Sequence, residues 1–181
     1  MDIRERLNEG NRRYVSSSDA AIRRETAENG QHPYAAVVCC SDSRVVPERI
    51  FDAGIGELFV IRVAGSVLDR HQIGSIEYAA GHLGCRTVVV LGHTGCGAVG
   101  AALAGGGHGY VRFITDEILK AVGTEKDPDR ACRKNAAYAV RLLKEAFAGH
   151  PEAGNTAIEG AVYDIRTGEV TWLDPAEDTG T

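Results

Sequence analysis

The sequence predicts an α/β fold: a mostly parallel central sheet with one antiparallel edge strand, flanked by helices and preceded by an N-terminal helical arm. Short apolar runs rich in β-branched residues alternate with longer helical patterns, which is typical of parallel sheets. The last two apolar runs are separated only by residues 166–168, whose final glycine indicates a hairpin. The chain has 181 residues, the length of one ordinary domain. We therefore expect residues 1–181 to form a single domain, with residues 1–30 as the arm.

The first half of the chain is predicted to contain one helix in the arm and two buried strands. Residues 2–14 carry apolar side chains near one face of a helix, whereas the polar stretch 16–33 indicates a loop with a short helical piece. The runs YAAVVCC (34–40) and ELFVIRV (57–63) have the length and composition of buried strands. Between them, Pro47 suits the first turn of a short helix over PERIFDAG.

The second half of the chain alternates in the same way. QIGSIEYAAGHLG (72–84) is a helical pattern that closes at a glycine, RTVVVLG (86–92) is the strongest strand pattern, and GCGAVGAALAGGG (95–107) indicates a helix that begins in glycine. The clearest helix is 127–149, because its apolar residues recur at i, i+4, i+7 and i+11 between a suitable N-cap and a closing glycine. AIEGAVYDI and EVTWL form the predicted hairpin.

Composition and charge argue against several classes of partner. The net charge is −5 and there is no long basic run, so we expect no nucleic-acid partner. No apolar run approaches the roughly 18 residues of a membrane span, and the first residues lack the apolar segment of a secretory signal, so we expect no membrane association and a cytoplasmic location. Five cysteines, an odd number, favour free, metal-bound or catalytic thiols in a reducing compartment over a disulfide framework.

Two short motifs fall where predicted strands end. Cys40 and Asp42 follow the first strand, and GHTGCG (92–97) follows the third. In parallel α/β sheets, ligands gather outside the carboxyl ends of the strands, at the point where the strand order reverses. If the two strands are neighbours, about 4.8 Å apart, their ends can share one bound ion.

The residues at these two strand ends form a set suited to zinc. Cys40, His93 and Cys96 supply two thiolates and an imidazole, and the His-x-x-Cys spacing lets both side chains approach one point from a turn. Three protein ligands leave a fourth position open, as in catalytic zinc sites. In an extended segment, Asp42 and Arg44 would project to the same side as Cys40. Asp42 could then orient zinc-bound hydroxide, while a bidentate pair with Arg44 keeps it ionised.

Each of these features taken singly has a simpler interpretation. A cysteine at a strand end is usually part of the core, a single loop histidine is usually no ligand, and Asp-x-Arg is usually a surface ion pair of little energetic weight. GHTGCG alone could be a phosphate-binding turn, but it lacks the Lys-Ser/Thr of a P-loop and the G-x-G-x-x-G spacing. We assign Cys39, Cys85 and Cys132 to packing. The zinc hypothesis depends on the combination, because both motifs lie at strand ends and together supply a complete ligand set.

The two motifs and the segments around them resemble the β-class carbonic anhydrases, in their compact microbial form. The residues that carry the resemblance are CSDSR (40–44) followed by a valine, and HTGCG (93–97). PERIFDAGIGELFVIR, GSIEYAAGHLG and VVVLGHTGCGAV are also similar to the family's intervening segments. The resemblance runs from about residue 31 to 104 and includes the terminal hairpin. CxDSR together with HxxC at this separation is a specific signature.

The resemblance implies an activity and the residues that perform it. It implies a zinc enzyme that reversibly hydrates CO2 to bicarbonate and a proton by means of zinc-bound hydroxide. Cys40, His93 and Cys96 would hold Zn²⁺, and Asp42 with Arg44 would form the catalytic pair. The substrate partners would be the small molecules CO2 and bicarbonate.

The resemblance also implies a substrate cleft and an assembly. Gln31, Phe59 and Tyr78 match the residues that line the CO2 cleft near the family's dimer interface, and Gly97 matches a backbone amide donor beside the last ligand. Simple core packing is the alternative role for Phe59 and Tyr78. The family implies a homodimer built by exchanged N-terminal arms, often paired into a dimer of dimers, which is a tetramer.

Two features of the chain depart from the family pattern. After the second strand many members have Arg-Asn-Ala-Gly-Asn, whereas residues 62–66 here are Arg-Val-Ala-Gly-Ser. This departure bears on the hydrogen bonds around the metal ligands. Some members bind bicarbonate at a regulatory site with a tryptophan near the amino terminus. The only tryptophan here is Trp172, so we do not expect that site.

The same residues are compatible with three alternatives to CO2 hydration. Relatives with the same metal motif and fold hydrolyse CS2 or COS. A non-catalytic zinc or anion-binding protein would use Asp42 as a fourth ligand, since structural zinc sites are commonly closed by four protein ligands. A thiol redox protein would use Cys39 and Cys40, but adjacent cysteines make strained disulfides and no Cys-x-x-Cys is present.

Overall fold

Five strands form one mixed sheet. The computed structural model describes residues 2–174 of the chain. Residues 1 and 175–181 of the predicted domain lie outside the described part. The strand order is β2-β1-β3-β4-β5, in which β1 to β4 run parallel and β5 pairs antiparallel with β4. The strands are β1 (Ala35–Cys39), β2 (Leu58–Arg62), β3 (Thr87–His93), β4 (Ala157–Tyr163) and β5 (Val170–Trp172). The predicted mostly parallel sheet with an antiparallel edge is therefore confirmed.

Strands β1 and β3 form the centre of the sheet. All residues of β1 and all but the first of β3 are buried. Val38 lies opposite both Ile61 of β2 and Val90 of β3. A strand covered on both faces needs a continuous apolar run, which is what both segments supply. Because β2 lies on the far side of β1, the strand order reverses between β1 and β3, and the predicted adjacency of these two strands is confirmed.

Helices flank the sheet, as predicted. They are α1 (Ile3–Val15), α2 (Ala20–Asn29), α3 (Pro47–Ile50), α4 (Arg70–Gly81), α5 (Gly97–Leu103), α6 (Val111–Val122) and α7 (Pro128–Phe147). The longest, α7, begins at its predicted N-cap, because the Asp127 side chain accepts a hydrogen bond from the backbone N–H of Arg130 at 2.8 Å. Its apolar stripe, which includes Ala136 and Val140, belongs to the largest core cluster. None of the helices within the described residues is both long and apolar enough to span a membrane.

The helices differ from the sequence-based predictions at three points. The polar stretch predicted as a loop with a short helical piece contains the 10-residue helix α2, whose Arg23 guanidinium donates hydrogen bonds to carbonyls at the end of α1. Helix α6 has no counterpart among the predicted elements, because its N-cap, Tyr110, makes no side-chain capping hydrogen bond and follows a glycine-rich run. Helix α3 is a single turn, because Asp52 adopts φ +51° and ends the helical path early.

Candidate metal centre

The carboxyl ends of β1 and β3 meet at one edge of the sheet and bring three candidate ligands together. Cys40 directly follows β1, His93 is the last residue of β3, and Cys96 is the N-cap of α5. The two Sγ atoms and one imidazole nitrogen all lie within 4.8 Å of one another. All three side chains are buried. Within residues 2–174, no other group of three or more His, Cys, Asp or Glu side chains converges in this way.

The geometry of the three side chains fits a tetrahedral zinc ion. The Sγ atoms of Cys40 and Cys96 are 4.0 Å apart, and two sulfurs bound to one zinc at about 2.3 Å would be roughly 3.8 Å apart. His93 Nδ1 is 2.9 Å from the Thr94 carbonyl oxygen, so this nitrogen carries the proton and donates it. His93 Nε2 then presents a lone pair, and it is buried with no hydrogen-bond partner. A buried imidazole nitrogen without a partner is explained by a metal ion that it would bind.

The Cys40 and Cys96 thiols share one proton, and Cys40 is the thiol that ionises more readily. The pKa of Cys40 is lowered, chiefly by the hydrogen bond with the Cys96 thiol and further by two backbone N–H groups. Those N–H groups belong to Gly65, at 3.3 Å from the Cys40 Sγ, and to Asp42, at 3.4 Å. The pKa of Cys96 is raised, because its proton is shared with Cys40 and because the thiol is buried. One proton is therefore held between two sulfurs, where a divalent cation could replace it.

Asp42 is held away from the three ligands by Arg44. Arg44 Nε donates to Asp42 Oδ1 at 2.9 Å and Arg44 Nη2 donates to Oδ2 at 2.7 Å, while the backbone N–H of Arg44 also donates to Oδ1 at 2.9 Å. The guanidinium hydrogen bonds hold the pKa of Asp42 well below its usual range. Arg44 Nη2 also donates to the Gly95 carbonyl at 3.2 Å, which ties the pair to the loop between His93 and Cys96.

The backbone that produces the Asp42–Arg44 pair is not the extended segment expected from the sequence. Strand β1 ends at Cys39, and the chain then turns, with the backbone N–H of Val45 donating to the Asp42 carbonyl at 3.0 Å. The pair forms because Asp42 accepts hydrogen bonds from the residue two positions later, a pattern favoured by Asp in turns. The side chains of residues 42 and 44 therefore meet across a turn rather than along one face of a strand.

Comparison with known proteins identifies the family of the chain. The sequence model of the carbonic anhydrase family matches residues 35–170, a range that includes the three ligands and the Asp42–Arg44 pair. Carbonic anhydrase 2 of Mycobacterium tuberculosis is 35% identical, over 96% of this chain and 93% of its own length. The solved β-carbonic anhydrase CafA of Aspergillus fumigatus matches with a TM-score of 0.80, at 25% identity, over 98% of this chain and 95% of its own. The chain belongs to the β-class carbonic anhydrase family.

The similarity to carbonic anhydrases extends over nearly the whole chain and is not confined to the two motifs. A tetrameric β-carbonic anhydrase of Sordaria macrospora shares the fold with a TM-score of 0.70 at 22% identity, over 91% of this chain and 97% of its own. The family and the enzyme class predicted from the sequence, carbonic anhydrase, are both confirmed.

One residue that supports the site in this carbonic anhydrase was not identified from the sequence. Arg62, at the end of β2, donates from Nε to the Cys40 carbonyl at 3.2 Å and from Nη2 to the Asp42 carbonyl at 2.7 Å. It therefore fixes the backbone of the segment that carries one ligand and the carboxylate. An arginine at the carboxyl end of the strand beside β1 was the available signal, since that end of the sheet faces the site.

The residues predicted to line the substrate cleft are not among those that line the small cavity at the candidate ligands. Gln31 is exposed after α2, while Phe59 on β2 and Tyr78 on α4 have ring centroids 6.2 Å apart, and Tyr78 stacks on His82 at 5.0 Å. The small cavity that reaches the ligands is lined by other described residues, namely Gly65, Ser66, Gly92, His93, Cys96, Val99, Cys132 and Asn135. Gly97 begins α5 with open space on its Cα, so its backbone is accessible. The roles of Gln31, Phe59 and Tyr78 stay predictions.

Proposed function

We propose that this carbonic anhydrase hydrates CO2 reversibly to bicarbonate and a proton, with Zn²⁺ bound by the Sγ atoms of Cys40 and Cys96 and by Nε2 of His93. The observation that carries the proposal is the convergence of these three ligand atoms beside a carboxylate that Arg44 already holds through both of its oxygens. When bound, zinc would supply a Lewis acid that makes a strong nucleophile from water near neutral pH.

Asp42 is proposed to orient the reacting water. Its Oδ1 accepts two hydrogen bonds from Arg44, but its Oδ2 accepts only one of those described, so a lone pair of Oδ2 is available to a water proton. Because Arg44 keeps the carboxylate ionised, Asp42 accepts this hydrogen bond and does not donate one. The water oxygen is then directed toward the carbon of CO2, and the released proton passes to buffer.

The substrate is proposed to be oriented by the backbone and by the cleft residues. Gly97 is the first residue of α5, and the N–H groups of a first helical turn have no partner within the helix. Its N–H is proposed to donate to a CO2 oxygen as negative charge develops there. Gln31, Phe59 and Tyr78 are proposed to line the cleft, with the apolar rings suited to an uncharged, apolar substrate.

The geometry favours this activity over a zinc site closed by protein and over thiol redox chemistry. The Asp42 carboxylate is not among the atoms that converge within 4.8 Å, and Arg44 holds it through both oxygens, so it would have to move from this position to become a fourth ligand. Cys39, the other thiol of a redox pair with Cys40, is fully buried. Burial raises the pKa of Cys39 to about 12, which makes it a poor nucleophile at neutral pH.

The protein is proposed to act as a homodimer or a dimer of dimers in which the arm, residues 1–30, is exchanged between subunits of one domain each. No residue of α1 or α2 is buried within the chain, and Ile3 and Leu7, neighbours on one face of α1, are each 68% exposed. Apolar side chains aligned on one helix face indicate a contact surface. The tetrameric relative from Sordaria macrospora supports an assembly of this kind.

The proposed function is tested by metal analysis together with stopped-flow CO2 hydration, with COS and CS2 hydrolysis measured on the same preparation. We expect one zinc per chain, CO2 hydration that is lost on chelation and restored by zinc, and a lower melting temperature for the metal-free protein, because the ion joins two strand ends. A protein that holds no zinc, or one that hydrolyses COS or CS2 faster than it hydrates CO2, would overturn the proposal.

A further inference from the structure

A buried amide on α7 is connected to the Cys40 ligand through a single glycine. Asn135 is 7% exposed, and its Nδ2 donates to the carbonyl oxygen of Gly65 at 2.7 Å, across 70 residues of sequence. The backbone N–H of the same glycine donates to the Sγ of Cys40 at 3.3 Å. The Gly65 N–H therefore donates to the Cys40 sulfur, while the Gly65 carbonyl accepts a hydrogen bond from Asn135.

The turn that contains Gly65 has a conformation that needs external support. Gly65 has φ +70° and Ser66 has φ +54°, so two successive residues lie in the left-handed region, and the second is not glycine. A Cβ on Gly65 would lie 2.8 Å from Ile118 Cδ1 and 3.2 Å from Ala98 Cβ, so a larger residue would displace these neighbours. Packing against Ile118 and Ala98 thus restricts the conformation of the turn. The hydrogen bond from Asn135 fixes the direction of the Gly65 carbonyl.

We propose that Asn135 is a positioning residue for the Cys40 ligand, an inference that rests on zinc binding at this site. By holding Gly65, it keeps the Gly65 N–H directed at the Cys40 sulfur. Hydrogen bonds to a ligating atom orient that atom and adjust the charge it donates, and removing such partners typically weakens metal binding by about 10- to 100-fold. Asn135 should therefore affect the affinity for zinc through Gly65, although it is not itself a ligand.

The test compares Asn135→Leu with Thr115→Val. Leucine approximates the shape of asparagine but cannot donate to Gly65. Thr115 is a matched control, because it is a fully buried polar side chain on the neighbouring helix α6 that accepts a hydrogen bond from the Gly107 N–H, outside the ligand group. Zinc affinity is measured by competition with a chelator. We expect Asn135→Leu to weaken zinc binding by about 10- to 100-fold and Thr115→Val to leave it unchanged.

A second measurement is amide hydrogen exchange on the metal-free protein, and its first part, on the wild type, needs no variant to fold. Amide hydrogen exchange at Gly65 should be slow, because its N–H is hydrogen-bonded to the Cys40 sulfur, and Asn135→Leu should accelerate exchange at Gly65 more than Thr115→Val does. Wild-type protein that binds no zinc would refute the proposed function itself. Zinc-binding wild type whose Gly65 amide is unprotected, or equal zinc affinity in wild type and Asn135→Leu, would refute only the role of Asn135.

Discussion

The cluster of candidate ligands at the strand ends is buried within its own chain, whereas the helices of the N-terminal arm are not. Cys40, His93 and Cys96 are each 7% exposed or less, whereas no residue of α1 or α2 is buried. The Cys40 sulfur and the His93 ring each have hydrogen bonds to backbone groups. The hydrogen bonds of the Arg23 side chain, by contrast, all lie within the arm.

This difference indicates that the two regions depend on different partners. The strand ends are positioned by the sheet, so their geometry should persist in a single chain and should respond to loss of the metal. The arm helices bury no residue within their own chain, so the position of the arm should depend on a second subunit. Substitutions in the ligand cluster should therefore leave subunit association unchanged, and substitutions in the arm should leave zinc binding unchanged.

The largest effect is expected when one ligand is removed. Cys40→Ser should abolish both zinc binding and CO2 hydration, because a neutral hydroxyl is a far weaker zinc ligand than a thiolate. Cys39→Ser is the matched control: Cys39 is the adjacent residue and is equally enclosed, but it belongs to a separate core cluster with Val37 and Leu91. It should lower stability while keeping zinc. Metal analysis and stopped-flow assays check both variants, and full zinc occupancy in Cys40→Ser would contradict the ligand assignment.

The strand ends could be predicted from the sequence because a parallel sheet has few possible arrangements. Once two apolar strands are assigned to the centre, their following residues must meet at one edge, which places Cys40 beside His93. Asp42 and Arg44 were paired correctly from their spacing, although a turn and not a strand brings them together. The position of Arg62 at a strand end offered the same signal, but the carbonyl groups that it binds depend on the register of β2 with β1. Asn135 could not be found this way, because its contact joins α7 to a glycine 70 residues away in sequence.

The next largest effect is expected from Asp42→Asn, which keeps the ligands but changes the group beside them. The amide cannot hold the Arg44 guanidinium as a carboxylate does, and it presents a weaker acceptor to water. We expect normal zinc content and CO2 hydration slower by roughly 10²-fold. Turnover at saturating CO2 and metal analysis on the same sample check this, and an unchanged rate would remove Asp42 from the mechanism. The oligomeric state should not change.

A smaller effect, confined to assembly, is expected from Leu7→Ser in the arm. Burying a leucine is worth about 1.5–3 kcal/mol, so its loss should weaken subunit association by about ten-fold or more. Arg12→Gln is the control, because Arg12 lies on the opposite face of α1 and is also exposed. Analytical ultracentrifugation measures association, and metal analysis should find unchanged zinc. Equal association of Leu7→Ser and wild type would show that this face of the arm is not a subunit contact.

The smallest effect is expected at Glu125, whose pairing with Arg130 resembles that of Asp42 with Arg44 but lies outside the ligand cluster. Arg130 and the backbone N–H groups of Asp127 and Lys126 lower the pKa of Glu125 from 4.5 to about 2. Because the pKa is lower in the folded state, this contribution to stability is complete above pH 4.5 and is lost as the pH falls toward 2.

Glu125→Gln should therefore lower the free energy of unfolding at pH 7, and its difference from wild type should shrink steadily below pH 4.5. Urea denaturation at pH 7 and pH 3 measures this, with Glu145→Gln as the control, since Glu145 is an exposed residue whose nearest arginine nitrogen is 3.9 Å away. Zinc content and CO2 hydration at pH 7 should equal those of wild type. A stability difference that does not depend on pH would mean that the ionised Glu125 is not what supports the start of α7. A loss of zinc would mean that the ligand cluster depends on this helix end as well as on the sheet.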